Sequence, residues 1–131
     1  MSTSTTTSIS QIGTVIVPIT DQDRAIEFYT EKLGFEKRAD IPMGEQYRWV
    51  EVAPAGAQTS VAIVLPRPGD TAGGKDTGVA FSCSDLAADH AALKAAGVDV
   101  DEEISKMGGP VPDMFWLRDP DGNVLLAVQA A

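Results

Sequence analysis

Two stretches decide how this chain folds: Thr14-Val15-Ile16-Val17-Pro18-Ile19-Thr20-Asp21 near its start and Gly78-Val79-Ala80-Phe81-Ser82-Cys83-Ser84-Asp85 in its middle. Each is an apolar alternation of period two that runs into an acidic N-cap, the pattern of a strand feeding a helix. Laid over each other without gaps, they match Val15 with Val79, Asp21 with Asp85, Ile26 with His90 and Tyr29 with Leu93. Behind the first cap, Ala25, Ile26, Tyr29 and Leu33 share one helical stripe, and Gly34 sits where a helix stops in a left-handed residue. Behind the second, Leu86, His90 and Leu93 do the same, and Gly97 ends the helix. Strands are then predicted at about 36–41, 46–53 and 59–65, and again at about 98–104, 111–118 and 123–129. Met43-Gly44 answers Met107-Gly108, and Pro54-Ala55-Gly56 answers Pro120-Asp121-Gly122. One order, strand, helix and three strands, is written twice. It predicts an α+β chain of two small sheets, each with a helix on one face.

Outside this repeat, Met1 to Ser10 is almost all Ser and Thr and is expected to be a disordered tail. Residues 11–131 are then a single domain, with module one at about 11–66, a turn-rich linker at 67–76 and module two at about 77–129. A chain of 131 residues with 44% apolar and 22% charged residues is long enough to bury a core without metal or disulfide staples. The lone cysteine, Cys83, has no partner within the chain, and no secretory pattern precedes the repeat, so a cytoplasmic location is expected. No apolar run reaches the ~18 to 20 residues of a membrane span. Ten Lys and Arg against nineteen Asp and Glu give a net charge of −9, the wrong sign for nucleic acid or an anionic membrane. A neutral or cationic small molecule remains as the expected partner.

The opening Ile12-Gly13-Thr14-Val15, the run Asp21-Gln22-Asp23-Arg24-Ala25-Ile26-Glu27-Phe28-Tyr29 with Leu33-Gly34-Phe35, and the close Arg118-Asp119-Pro120-Asp121-Gly122-Asn123 carry a family pattern. Over roughly Gln11 to Gln129 the sequence resembles the vicinal oxygen chelate superfamily of glyoxalases, extradiol dioxygenases and bleomycin-resistance proteins. The resemblance implies two βαβββ modules whose sheets curl into an open, mixed β-barrel around one cavity, helices outside, commonly as a homodimer. It also implies metal ligands, usually His on a module's first strand and Glu on its last. Here the corresponding positions are Thr14, Gly78, Leu126 and, near it in module one, Ala62. None offers an imidazole, thiolate or carboxylate, so no metal and no other cofactor is expected.

The implied ligand positions mark the cavity face of each strand, and period two extends the assignment. Thr14, Ile16 and Pro18 then point inward, with Gly78, Ala80 and Ser82 opposite. Tyr47, Trp49 and Glu51 share that side because Val50 and Val52 suit the helix face. By the repeat, Asp113, Phe115 and Leu117 join them, and Trp116 goes under the helix. The ligand-binding set expected is Thr14, Ile16, Tyr47, Trp49, Glu51, Met107, Asp113, Phe115 and Leu126, an apolar and aromatic lining with a few polar groups.

Two readings stand for Glu51. In an apolar pocket it is a general base or a grip for a cation; one residue out of register, it is simply solvated. Trp49 and Phe115 are stacking walls or core filling. His90 lies on the helix stripe, away from the cavity, and reads as structural; Cys83 reads as a small hydrophobe. Asp119-Pro120-Asp121-Gly122-Asn123 is a tight turn rather than a calcium loop, and the acidic run 99–103 an exposed edge strand. Three functions follow: metal-independent binding of a small aromatic or cationic molecule, as in drug-sequestering bleomycin-resistance-type proteins; a glyoxalase-like lyase or isomerase, or another small-molecule enzyme of the same superfamily, using Glu51 or Tyr47; or a dimeric structural role.

Overall fold

β-branched residues at alternate positions make the first strand, β1 (Thr14–Pro18). The Asp21 carboxylate then accepts from the Arg24 backbone N–H at 3.1 Å and starts α1 (Gln22–Glu27). The helix widens into a π-helical turn over Phe28–Lys32 and is closed by Gly34, whose φ of +77° only glycine adopts without strain. Strands β2 (Glu36–Pro42), β3 (Arg48–Ala53) and β4 (Ser60–Val64) complete a sheet of order β1-β4-β3-β2, in which β1 runs parallel to β4 and the other pairs are antiparallel. The second half repeats the plan. Strand β5 (Asp76–Cys83), helix α2 (Leu86–Ala95) and strands β6 (Asp99–Val100), β7 (Met114–Arg118) and β8 (Val124–Gln129) give a sheet of order β5-β8-β7-β6. This computed structural model describes residues 5–131. Residues 5–10 form no helix or strand and are exposed, and the first four positions of the expected tail lie outside the described residues.

The strand expected at 98–104 is the one that shrinks. Only Asp99 and Val100 pair with β7, followed by an isolated bridge between Ser105 and Met114. Asp101 still donates its backbone N–H to the Trp116 carbonyl at 3.0 Å, but the return bond from the Trp116 N–H goes to its carboxylate at 3.2 Å, which also accepts from the Arg118 guanidinium at 2.8 Å. The acidic run is therefore partly a clamp on Arg118 rather than an edge solvated throughout.

The helix-bearing faces of the two sheets share one core. Val17, Ile19, Val50, Val52 and Ile63 belong to it from the first module, and Phe115, Leu117, Leu125 and Ala127 from the second. Aromatic rings bridge the halves: Tyr29 lies 6.0 Å from Phe35, which meets Phe81 edge-on at 5.3 Å. A polar latch reinforces them. Tyr29 Oη donates to the buried Asp119 carboxylate at 3.1 Å, and Asn123 Nδ2 donates to the Pro18 carbonyl at 2.9 Å. Thr20 Oγ1 and Arg24 donate to Asp121 at 2.5 and 3.3 Å. Burial, together with the neighbouring Asp119 carboxylate, drives the Tyr29 phenol far above its ordinary range, so it stays a donor. The Asp119-to-Asn123 turn thus does more than reverse the chain; it holds the modules at one relative orientation.

Strands β1 and β5 are the outer strands of their own sheets, and no ladder joins them among the described residues. The barrel expected from the resemblance is accordingly not closed within the chain. No helix among the described residues is long and apolar enough to cross a membrane.

Candidate functional site

Each sheet keeps one face turned away from its helix, and the ladders fix which side chains stand there. In the first sheet Ile16 and Glu51 both pair with Ala62, and Ala39 pairs with Glu51, so Ile16, Ala62, Glu51 and Ala39 form one row across four strands. Trp49 and Ile41 are opposite each other in the next row. Ile16 and Ile41 are 57% and 54% exposed, at the two outer strands of this face. Trp49 Nε1 donates to Glu51 Oε2 at 2.7 Å. Two residues apart on one strand, they share a face, and the bond fixes the indole while leaving the second carboxylate oxygen unengaged by it. Thr14 is exposed on the same side. Tyr47 lies just before β3, half-buried, in a polar recess of about 470 Å³ that it shares with Asp21, Gln22, Asp23, Glu45 and Arg48.

The second sheet corrects part of the face assignment. Phe115 is fully buried beneath α2, edge-on to His90 with ring centroids 4.9 Å apart, and Leu117 is buried beside it. The open face carries instead Met114 opposite Val128, Trp116 opposite Leu126 and Arg118 opposite Val124. Ala80, paired with Leu126, and Ser82, paired with Val128, continue it on β5. Phe115 and Leu117 therefore do not face the cavity side, Trp116 is not under the helix, and Asp113, by the same alternation, goes with Phe115. The cause is a single residue. Six residues separate β3 from β4, but five separate β7 from β8. The matched turns suggest an offset of 66, whereas the ladders place Trp116 where Glu51 stands, an offset of 65. A slip of one turns every side chain to the other face. That difference in turn length was the signal that sequence reasoning passed over, and Trp116 and Met114 were missed with it, whereas Ser82 stands on the side expected of it. Leu126 does lie on the open face, half-buried, while Met107 is 72% exposed in the loop between β6 and β7.

His90 keeps the structural place expected of it: its Nε2 lies 2.7 Å from the Asp101 carbonyl. Burial and a hydrogen bond to Asp89 push the Cys83 thiol up to about 11, so it is not a nucleophile at neutral pH.

The four positions at which metal-binding relatives would place ligands do not suit a metal. Thr14 carries only a hydroxyl, and Ala62 and Leu126 are apolar. Gly78 sits in a bulge between Asp76 and Ala80 at a φ of +72°, so even a histidine there would be strained. Between the facing edges of β1 and β5 lies a cleft of about 980 Å³, with Ile12, Ile16, Ala80 and Ser82 in its walls.

Tandem βαβββ modules, each a sheet with a helix on one face, define a class, the paired-module α+β proteins. Residues 11–126 match the family described as the Glyoxalase/Bleomycin resistance protein/Dioxygenase superfamily, and the chain belongs to it. It is 38% identical over 118 residues to the uncharacterised protein YetH of Bacillus subtilis (strain 168), covering 90% of this chain and 97% of that one. Among solved structures it is similar to TnmS3, an antibiotic binding protein from Streptomyces sp. CB03234, with 36% identity and a TM-score of 0.83 over 96% of this chain and all (100%) of the other. A superfamily member from Sphaerobacter thermophilus DSM 20745 shares 32% identity with a TM-score of 0.85, over 93% of this chain and 98% of its own.

Proposed function

We propose that the chain binds a small organic molecule, aromatic or cationic, without the help of a metal, in a cavity walled by the open sheet faces. The observation that carries this reading is the Trp49–Glu51 pair: a flat indole held in place by a carboxylate with one oxygen left for a ligand, on an otherwise apolar face. Indole stacking and a nearby carboxylate together favour a planar cation, and a net charge of −9 draws such a compound in. The antibiotic-binding role of TnmS3 supports a sequestering function of the same kind. The reading includes a homodimer: two unpaired edge strands and the exposed Ile16 and Ile41 call for a second copy, which would close the barrel. It also includes a cytoplasmic site of action.

Native mass spectrometry of the purified protein identifies a retained ligand, and light scattering at micromolar concentration reads the dimer. Planar aromatic cations are expected to quench tryptophan fluorescence, and Trp49→Ala to weaken their binding by about 1 kcal/mol or more. Unchanged affinity in that variant, or a monomer in solution, counts against the reading. The second reading, a glyoxalase-like lyase or isomerase, draws on the same free oxygen of Glu51 as a general base. Turnover of a bound compound that is lost in Glu51→Gln, with binding retained, would favour it.

A further inference from the structure

Where the two modules meet on their helix-bearing side lies a second recess of about 440 Å³, which shares Pro54, Phe81 and Ser82 with the cleft between β1 and β5. Its apolar wall comes from both modules: Leu33 and Phe35 from the first, and Phe81, Cys83, Leu93 and Leu117 from the second. All but Leu117 are only partly buried, so this is surface that folding has gathered without covering. The volume lies within the range of about 300–1,000 Å³ usual for small-molecule sites.

The rim has a sign. Glu31 and Asp89 both line the recess, and Glu31 makes no ion pair among the described residues. Lys32, the cation beside them, is turned to another use, its Nζ donating to the Ala96 carbonyl at 2.9 Å. Asp89 accepts from the Cys83 thiol, which burial and that bond keep neutral. An apolar floor under two carboxylates, with the local lysine tied back, complements a molecule that is apolar at one end and cationic at the other.

We infer that this inter-module recess, which borders the cleft between β1 and β5 but is walled mainly by helix-side residues, is a second binding site for a small apolar cation such as a quaternary or protonated aryl amine. Phe35 and Phe81 supply ring surface for the apolar end, and Glu31 meets the positive end at the rim. Because the site spans both modules, an occupant would also brace the junction held by Tyr29 and Asp119.

Cys83 is the chain's only cysteine and lines the recess, so it reports occupancy directly. The full-length protein is treated with N-ethylmaleimide at fixed alkaline pH and ionic strength, and the intact mass is followed over time with benzyltrimethylammonium or benzenesulfonate present. The expected result is a saturable fall in the Cys83 modification rate, fivefold or more, with the ammonium and none with the sulfonate. Glu31→Gln should raise the half-protecting concentration about threefold, the scale of one exposed charge pair. Ala92→Trp, which fills the recess from the surface of α2, should abolish protection, circular dichroism confirming its fold. Trp49→Ala should leave protection intact. Equal protection by the sulfonate, no saturation, or no response to Glu31→Gln would overturn the inference. Protection lost in Trp49→Ala would also overturn it, by assigning the effect to the open face. Quenching of tryptophan without Cys83 protection would overturn this site alone and leave the proposed function standing.

Discussion

Module one and module two share one ladder plan, yet they put different chemistry on equivalent rows. Where the first presents Glu51 with Trp49 beside it, the second presents Trp116 with Met114 beside it. The first sheet therefore offers a carboxylate and a fixed indole, the second only aromatic and aliphatic surface, with its arginine, Arg118, already held by Asp99 and Asp101 at 3.2 and 2.8 Å. The duplication preserved what builds a sheet under a helix and released what faces away. Polarity on the open faces is thus one-sided, and under the proposed function a ligand's positive end would belong against module one.

The largest effect that would break this comparison is at Phe115. If it is core and Trp116 is not, Phe115→Ala should cost about 3–5 kcal/mol in urea unfolding, and Trp116→Ala clearly less. Equal costs would return Phe115 and Trp116 to the faces first expected of them. Next comes the latch, which has no counterpart in the Pro54-Ala55-Gly56 turn. Asp119 accepts from Tyr29 Oη, from Asn123 Nδ2 at 3.0 Å and from the backbone N–H of Asp121 and Asn123, each at 2.9 Å. Asp119→Ala leaves these donors unsatisfied in a buried place and should cost about 3 kcal/mol; exposed Gln58→Ala in the other turn should cost almost nothing.

Smaller and more even effects are expected at the helix starts. Asp21 and Asp85 cap α1 and α2 with equal 3.1 Å bonds, so alanine at either should cost about 1 kcal/mol. A large asymmetry would show that the caps carry more than their helices. The smallest effect is at the ion pair. Hydrogen bonds from Arg48 and Lys37 lower the Asp40 carboxyl from 3.8 to about 2. Its folded value is the lower one, so its contribution to stability is full above the unfolded value and fades as pH falls toward 2. Carboxyl NMR titration should place its midpoint near 2, and Arg48→Met should return it toward 3.8.

The repeat of strand, helix and three strands was legible because it rests on local physics: alternation of Val15 and Val17 or Val79 and Phe81, an Asp cap, a glycine stop. Those features act within a few residues and leave their mark in order along the chain. The superfamily followed from motifs at the two ends, and the unsuitability of Thr14, Ala62, Gly78 and Leu126 as ligands from side-chain chemistry alone. The pairing of Trp49 with Glu51 on one face was within reach because both lie on one strand. Placing Phe115 and Trp116 was not, since their orientation depends on ladder register after a turn one residue shorter, and period two converts one residue into the opposite face. The Tyr29–Asp119 latch joins residues ninety positions apart, and the recess around Cys83 exists only where two modules are docked. Such features depend on distances between elements, and only packing in three dimensions decides those.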